Sequence, residues 1–153
     1  NFPSGKERFP VSNLGENQIK DFVDKLQAQY TQLSIQLPTE REWEYSAKGS
    51  TTLKYTWGNE YNSNMANIES KSLEAVGTHP QSDSIFGASD MIGNIEEVTL
   101  IDNVNYIVQE TQLYVGRGGQ YLSGKYDART TTRHPLFIPE SEYIGFRIVV
   151  RLK

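Results

Sequence analysis

The chain has 153 residues, a net charge of -4 and no cysteine. That length suits one domain with a single sizeable core, and the negative balance argues against a nucleic-acid backbone or an anionic membrane as the main partner. Without cysteine there are no disulfides, no thiolate metal ligands and no thiol nucleophile, and no apolar run reaches the roughly 20 residues that span a bilayer.

Residues 1–15, with Pro3, Ser4, Gly5, Pro10, Ser12 and Gly15, read as an extended lead-in. From about Asn17 the spacing predicts a helix: Ile19, Phe22, Val23 and Leu26 fall at i, i+3, i+4 and i+7, with Tyr30 one turn further on. A shorter helix is predicted after Pro38. There Thr39 and Glu42 have the spacing of a capping box, Trp43 and Ala47 share a face, and Gly49 is the expected stop. From Ser50 to Ser89 the periodicity fades among turn residues, and Tyr55 and Trp57 are the predicted anchors of a long loop. Asp90 to Val98 forms a tighter unit around Gly93 and Asn94, and short strands are predicted over Val104 to Val108 and Gln112 to Val115.

The last third carries the strongest pattern. It opens with Val115-Gly116-Arg117-Gly118-Gly119 and closes with an alternating run from Ile144 to Leu152. A period of two predicts one half-buried strand, with Ile144, Phe146, Ile148, Val150 and Leu152 on one face and Arg147 and Arg151 on the other. Between these ends, residues 120–143 have no sustained period. Their tyrosines among small polar residues have the composition of a binding surface, where tyrosine gives rigid contact area and serine or threonine adapts. The candidate ligand-binding residues are Tyr121, Ser123, Lys125, Tyr126, Asp127, Thr130, Thr132, His134, Phe137, Glu140, Glu142 and Tyr143.

Catalytic patterns are weak by comparison. Glu42 and Glu44, two apart on a helix, do not face each other. Gly116-Arg117-Gly118-Gly119 lacks the third glycine of a phosphate loop, because Tyr121 sits there. His79 reads as loop, and it lies too far from His134 in sequence to suggest a zinc pair.

Leu37-Pro38-Thr39-Glu40-Arg41-Glu42-Trp43-Glu44-Tyr45 resembles a signature of the formylglycine-generating-enzyme (sulfatase-modifying factor) domain family. Further blocks follow in the family's order: Tyr55 to Glu60, Ala66-Asn67-Ile68, Val76 to Pro80, Phe86-Gly87, Asp90 to Asn94, Arg117-Gly118-Gly119, Arg129 with Arg133, and Gly145-Phe146-Arg147. The resemblance covers about Val11 to Leu152. It implies an α+β, C-type-lectin-like fold over 1–153, with two helices, a small twisted antiparallel sheet and extensive irregular loops. The family's usual opening strand and helix are not found ahead of the first helix, which implies a trimmed domain or a piece of a longer protein. Arg129 and Arg133 match family arginines, which implies pairing with buried carboxylates.

The resemblance also bears on function. Enzymatic members hold copper on paired cysteines near the glycine pair, and this chain has none there. Their Gly-Asn-x-Trp-Glu-Trp block has become Gly93-Asn94-Ile95-Glu96-Glu97-Val98. A second branch comprises variable proteins of diversity-generating retroelements, which display a mutable C-terminal region between a Gly-Gly turn and a Gly-Phe-Arg strand. The layout of residues 120–143 resembles it. That branch implies a non-catalytic module binding a protein or glycan receptor, without nucleic acid or membrane insertion, in an extracellular, virion or cell-surface setting. The alternatives are an oxidoreductase or accessory domain like formylglycine-generating enzyme or ergothioneine synthase, and a structural envelope domain. No cofactor is required, but some members bind calcium, which makes Asn67, Ile68, Asn94 and Glu97 candidate ligands of a structural ion.

Overall fold

The structure, a computed structural model, describes residues 4–102, 114–136 and 140–153. Helix α1 spans Glu16–Gln29. Gly15 precedes it and has no side chain to cap with, so Gln18 reaches back instead, its Oε1 accepting the Gly15 N–H at 2.8 Å. Ile19 points into the core, whereas Phe22 lies nearer the surface and meets the Phe146 ring edge-on at 5.5 Å. Helix α2 spans Glu40–Lys48. Its cap is reciprocal: Thr39 Oγ1 accepts the Glu42 N–H, and the Glu42 carboxylate accepts the Thr39 N–H. Gly49 ends it at φ +62°, a conformation that favours glycine.

Strand β1 (Leu33–Gln36) pairs antiparallel with the C-terminal strand β6 (Val149–Leu152) to form a two-stranded sheet. Strands β2 (Glu96–Leu100), β3 (Tyr114–Arg117), β4 (His134–Leu136) and β5 (Ile144–Phe146) form a second sheet in the order β4-β3-β2-β5. The β2–β3 and β3–β4 pairs are antiparallel, and β5 runs parallel to β2. With two helices, two small sheets and long loops, the chain has the α+β architecture that the resemblance implies.

Three apolar clusters hold it together. Ile19, Leu37, Val98, Tyr114 and Ile144 pack α1 against the larger sheet. Trp43, Ala47 and Met91 lie under α2. Tyr55, Ala66, Ile68, Ile92 and Ala128 form the third, which gives the long loop a core of its own. As expected, Tyr55 and Trp57 anchor that loop, their rings stacked at 5.0 Å, and the buried Tyr55 donates its hydroxyl to the Lys125 carbonyl at 2.8 Å.

One sequence expectation changes. The alternating run is two strands rather than one, because β5 belongs to the larger sheet and β6 to the smaller. The chain turns between sheets at Arg147 and Ile148, which resets the alternation, so Val150 and Leu152 are 50% and 86% exposed. The strand expected from Gln112 starts at Tyr114 within the described residues, and that expected over Val104 to Val108 lies outside them. The lead-in is docked on the body of the chain: Arg8 exchanges two hydrogen bonds with Val76, and the Asn13 N–H donates to Ser141.

Candidate functional site

The floor of the candidate site is a set of buried polar contacts around the Gly93-Asn94 turn. Asn94 Oδ1 accepts Asn67 Nδ2 and the Glu74 N–H, both at 2.9 Å, and Asn94 Nδ2 donates to the Glu74 carbonyl. The Asn94 N–H donates to Asn67 O, the Asn94 carbonyl accepts the Tyr121 N–H, and the Gly93 N–H donates to Gly118 O. This turn therefore ties the long loop to the start of the 120–143 segment. Gly93 sits at φ +75°, where a Cβ would lie 2.4 Å from the Asn67 carbonyl oxygen, so only glycine fits.

Two ion pairs, each with one buried member, brace the floor. Glu97, on β2, takes both oxygens to Arg147 at 2.5 Å and also accepts Trp43 Nε1 at 2.6 Å. Burial alone disfavours the charged Arg147, but the Glu97 carboxylate outweighs it and holds the guanidinium above its ordinary value. Arg117 donates to Glu44 at 2.5 Å and to the Thr130 carbonyl at 2.9 Å, with its guanidinium over the Trp43 ring. Here burial prevails, and Arg117 is lowered from its ordinary value despite Glu44.

On this floor the 120–136 segment divides into inward and outward side chains. Tyr121, Ser123 and Thr130 were expected at the binding surface, yet all three are buried. The cause is the anchoring of their backbone. The Glu69 and Ser70 N–H groups donate to the carbonyls of Ser123 and Tyr121, and Thr130 bonds Leu53 and Lys54 across the segment. Ser123 Oγ accepts the Gln120 N–H, which closes the turn after the glycine pair.

The outward set is Lys125, Tyr126 and Asp127, all exposed, with Leu122, which the sequence reading missed. Leu122 is 52% exposed and Tyr126 is 67% exposed. The Tyr126 ring lies 4.8 Å from the Arg129 guanidinium, and the Tyr126 carbonyl accepts Thr132 Oγ1 at 2.6 Å. Among the described residues Arg129 thus meets a ring rather than the carboxylate the resemblance implied, whereas Arg133 does pair, with Glu40 at 2.5 Å.

His134 continues this surface. Its Nδ1 contacts Glu96 at 2.5 Å and its Nε2 lies 3.6 Å from Asp127. Gly116 makes the first contact possible: a Cβ there would meet the Glu96 carboxyl carbon at 2.6 Å, so the bare backbone of β3 lets Glu96 cross to β4. Glu140, Glu142 and Tyr143 are exposed at the margin, where Tyr143 leans on Tyr121 with ring centroids 5.7 Å apart. The neighbouring Glu142 carboxylate raises the Tyr143 phenol from its ordinary value. Phe137 lies outside the described residues.

The residues present do not fit a calcium ion. Glu97 is committed to Arg147, and Asn94 Oδ1 already accepts two N–H groups. Asn67 Oδ1 is buried without a partner among the described residues, but with the Ile68 carbonyl it offers only two neutral oxygens, too few to hold a hard dication. No cluster of three or more histidine, aspartate or glutamate side chains suited to a metal occurs among the described residues.

Comparison with known proteins matches this geometry. A model of the sulfatase-modifying factor enzyme 1-like domain matches residues 5–152. The formylglycine-generating enzyme of Mycobacterium tuberculosis is 42% identical over 77 residues, which are 41% of this chain and 26% of that protein. The inactive C-alpha-formylglycine-generating enzyme 2 of Bos taurus is 32% identical over 117 residues, 63% of this chain and 37% of that one. The chain therefore spans well under half the length of these curated relatives. Treponema denticola variable protein 1 superimposes with a TM-score of 0.76 at 19% identity, covering 100% of this chain and 76% of the other, which shows a shared fold.

Proposed function

We propose that this chain, which belongs to the sulfatase-modifying factor enzyme 1-like domain family, is a non-catalytic binding module that presents the outward side chains of its 120–143 segment to a macromolecular partner. The observation that carries the reading is the division of that segment: Tyr121, Ser123, Ala128 and Thr130 are fixed beneath, while Leu122, Lys125, Tyr126 and Asp127 stand in solvent. A rigid floor under exposed, chemically mixed side chains suits recognition. It holds the contacts in place and so limits the ordering cost of binding. The family's oxidase chemistry would need thiolate ligands, and the chain has no cysteine. A family relative is itself named inactive.

The sharpest version is a variable protein of the diversity-generating-retroelement kind, with a protein or glycan receptor as partner and a virion or cell surface as its setting. The fold shared with the Treponema denticola variable protein supports this version. The test is the coding sequence of residues 118–143 from sister isolates. Substitutions are expected at Leu122, Lys125, Tyr126 and Asp127, with Tyr121, Ser123, Ala128 and Thr130 constant. Changes scattered evenly along the chain would overturn the retroelement version. In a bound complex, Tyr126→Ala should weaken binding at least tenfold without loss of fold, the scale expected of an exposed aromatic hot spot.

A further inference from the structure

A crevice of about 560 Å³ adjoins the recognition segment. It lies between the docked lead-in, the loop at Lys71 to Leu73, and Tyr121 with Glu142. We propose that this crevice binds an extended acidic peptide stretch of the partner, with an aromatic side chain in the crevice and flanking carboxylates on its two lysines. The proposal rests on the binding-module reading and names the chemistry of one part of that surface.

Three observations carry it. The first is size and lining. A volume of about 560 Å³ is within the range of specific ligand sites. The Phe9 and Tyr121 rings, with Pro10 and Leu73, offer apolar walls for a ring of the partner. The second is charge. Lys6 and Lys71 line the crevice, and neither forms an ion pair among the described residues; the Lys6 ammonium instead rests 3.6 Å from the centroid of the Phe9 ring. Glu142 is the one carboxylate in the lining. An incoming carboxylate therefore finds two ammonium groups against one carboxylate, a net positive lining. The third is backbone. Val11 and Ser12 line the crevice and donate no hydrogen bond among the described residues, whereas Asn13 next to them donates to Ser141. One unpaired N–H beside an open crevice can pair with a carbonyl of an extended peptide, as at an exposed strand edge, where alternate N–H groups face the incoming strand.

A basic peptide of equal length and the same aromatic residue is the discriminating control, because it keeps the ring and the backbone and reverses the charge. The blocked peptides Ac-Glu-Phe-Glu-NH2 and Ac-Lys-Phe-Lys-NH2 are titrated into the 15N-labelled chain. The acidic peptide is expected to shift the amide signals of Val11, Ser12, Lys71 and Ser72, and to bind at least roughly fivefold more tightly than the basic one, a modest ratio for exposed charge pairs. Its binding is expected to weaken as salt rises. Lys71→Glu should reverse the preference while leaving the rest of the spectrum in place. Equal shifts by both peptides, or no shift at these amides, would overturn the proposal. Neither result would touch the Tyr126 surface, which is probed separately by its own substitution.

Discussion

Glu97→Gln is the most informative single perturbation of the frame. Glu97 is buried at the meeting point of three elements: it stands on β2, receives Trp43 from α2 and receives Arg147 from the turn between β5 and β6. The amide keeps the size of the carboxylate and can still accept the Trp43 N–H, so little packing is lost. What changes is charge. Arg147 keeps one neutral amide oxygen in place of two charged carboxylate oxygens, besides the carbonyls of Ser89 and Asp90 at 3.2 and 3.4 Å. Removing one partner of a buried pair costs about 3–5 kcal/mol. Arg147 keeps some 27% of its side-chain surface exposed, so water softens the loss and the expected value is about 3 kcal/mol, the low end. For a chain of this length that lowers the melting temperature by roughly 6–12 °C. Urea denaturation followed by circular dichroism measures it, and the double variant with Arg147→Met should recover part of the loss. A cost under about 1 kcal/mol would refute the claim that this pair locks α2, the larger sheet and the C-terminal strand together.

Other substitutions test separate links. Gly93→Ala places a Cβ against the Asn67 carbonyl at positive φ, and should cost about 3 kcal/mol or more in the same denaturation assay; an unchanged midpoint would contradict the close approach. Thr39→Ala removes the reciprocal cap of α2 and should cost about 1 kcal/mol, read as a shift in melting temperature. Asp90, at φ +53°, is held above its ordinary value by burial, with the Gly77 N–H acting against that and Glu97 adding to it. A raised folded-state value means that its contribution is most favourable below the unfolded value of about 4 and is lost as pH rises through the folded value. Asp90→Asn, neutral throughout and suited to positive φ, should therefore gain stability relative to the parent between about pH 4 and 7. A gain that shrinks with rising pH would contradict the assignment.

Local signals in the chain were enough for the helices. The Thr39–Glu42 spacing and Gly49 bounded α2 because caps are made by residues within one turn of each other. Ile19 similarly announced the buried face of α1. The terminal strand was harder. Ile144 to Leu152 alternates without interruption, but alternation does not reveal that the chain leaves one sheet for another, which depends on Arg147 finding Glu97 fifty residues away. The candidate site was legible as a segment and not as a surface. In an aperiodic stretch nothing local marks Tyr121 as inward and Leu122 as outward; that follows from carbonyls taken by Glu69 and Ser70. Glu97 shows the same limit, since its match to a calcium-binding turn says nothing of the guanidinium beside it.

The central claim is that a rigid floor carries replaceable outward side chains. Its most direct test is thermal unfolding of the fourfold variant Leu122→Ser, Lys125→Ser, Tyr126→Ser and Asp127→Ser, set beside the single variant Tyr121→Ser. Exposed positions change stability by about 0.5 kcal/mol or less each, with about 1 kcal/mol more where Tyr126 leaves Arg129. The fourfold variant should therefore lose no more than about 3 kcal/mol and unfold cooperatively, whereas Tyr121→Ser alone should lose about 3 kcal/mol or more. A fourfold variant that fails to fold, beside a Tyr121→Ser chain of unchanged melting temperature, would contradict the claim.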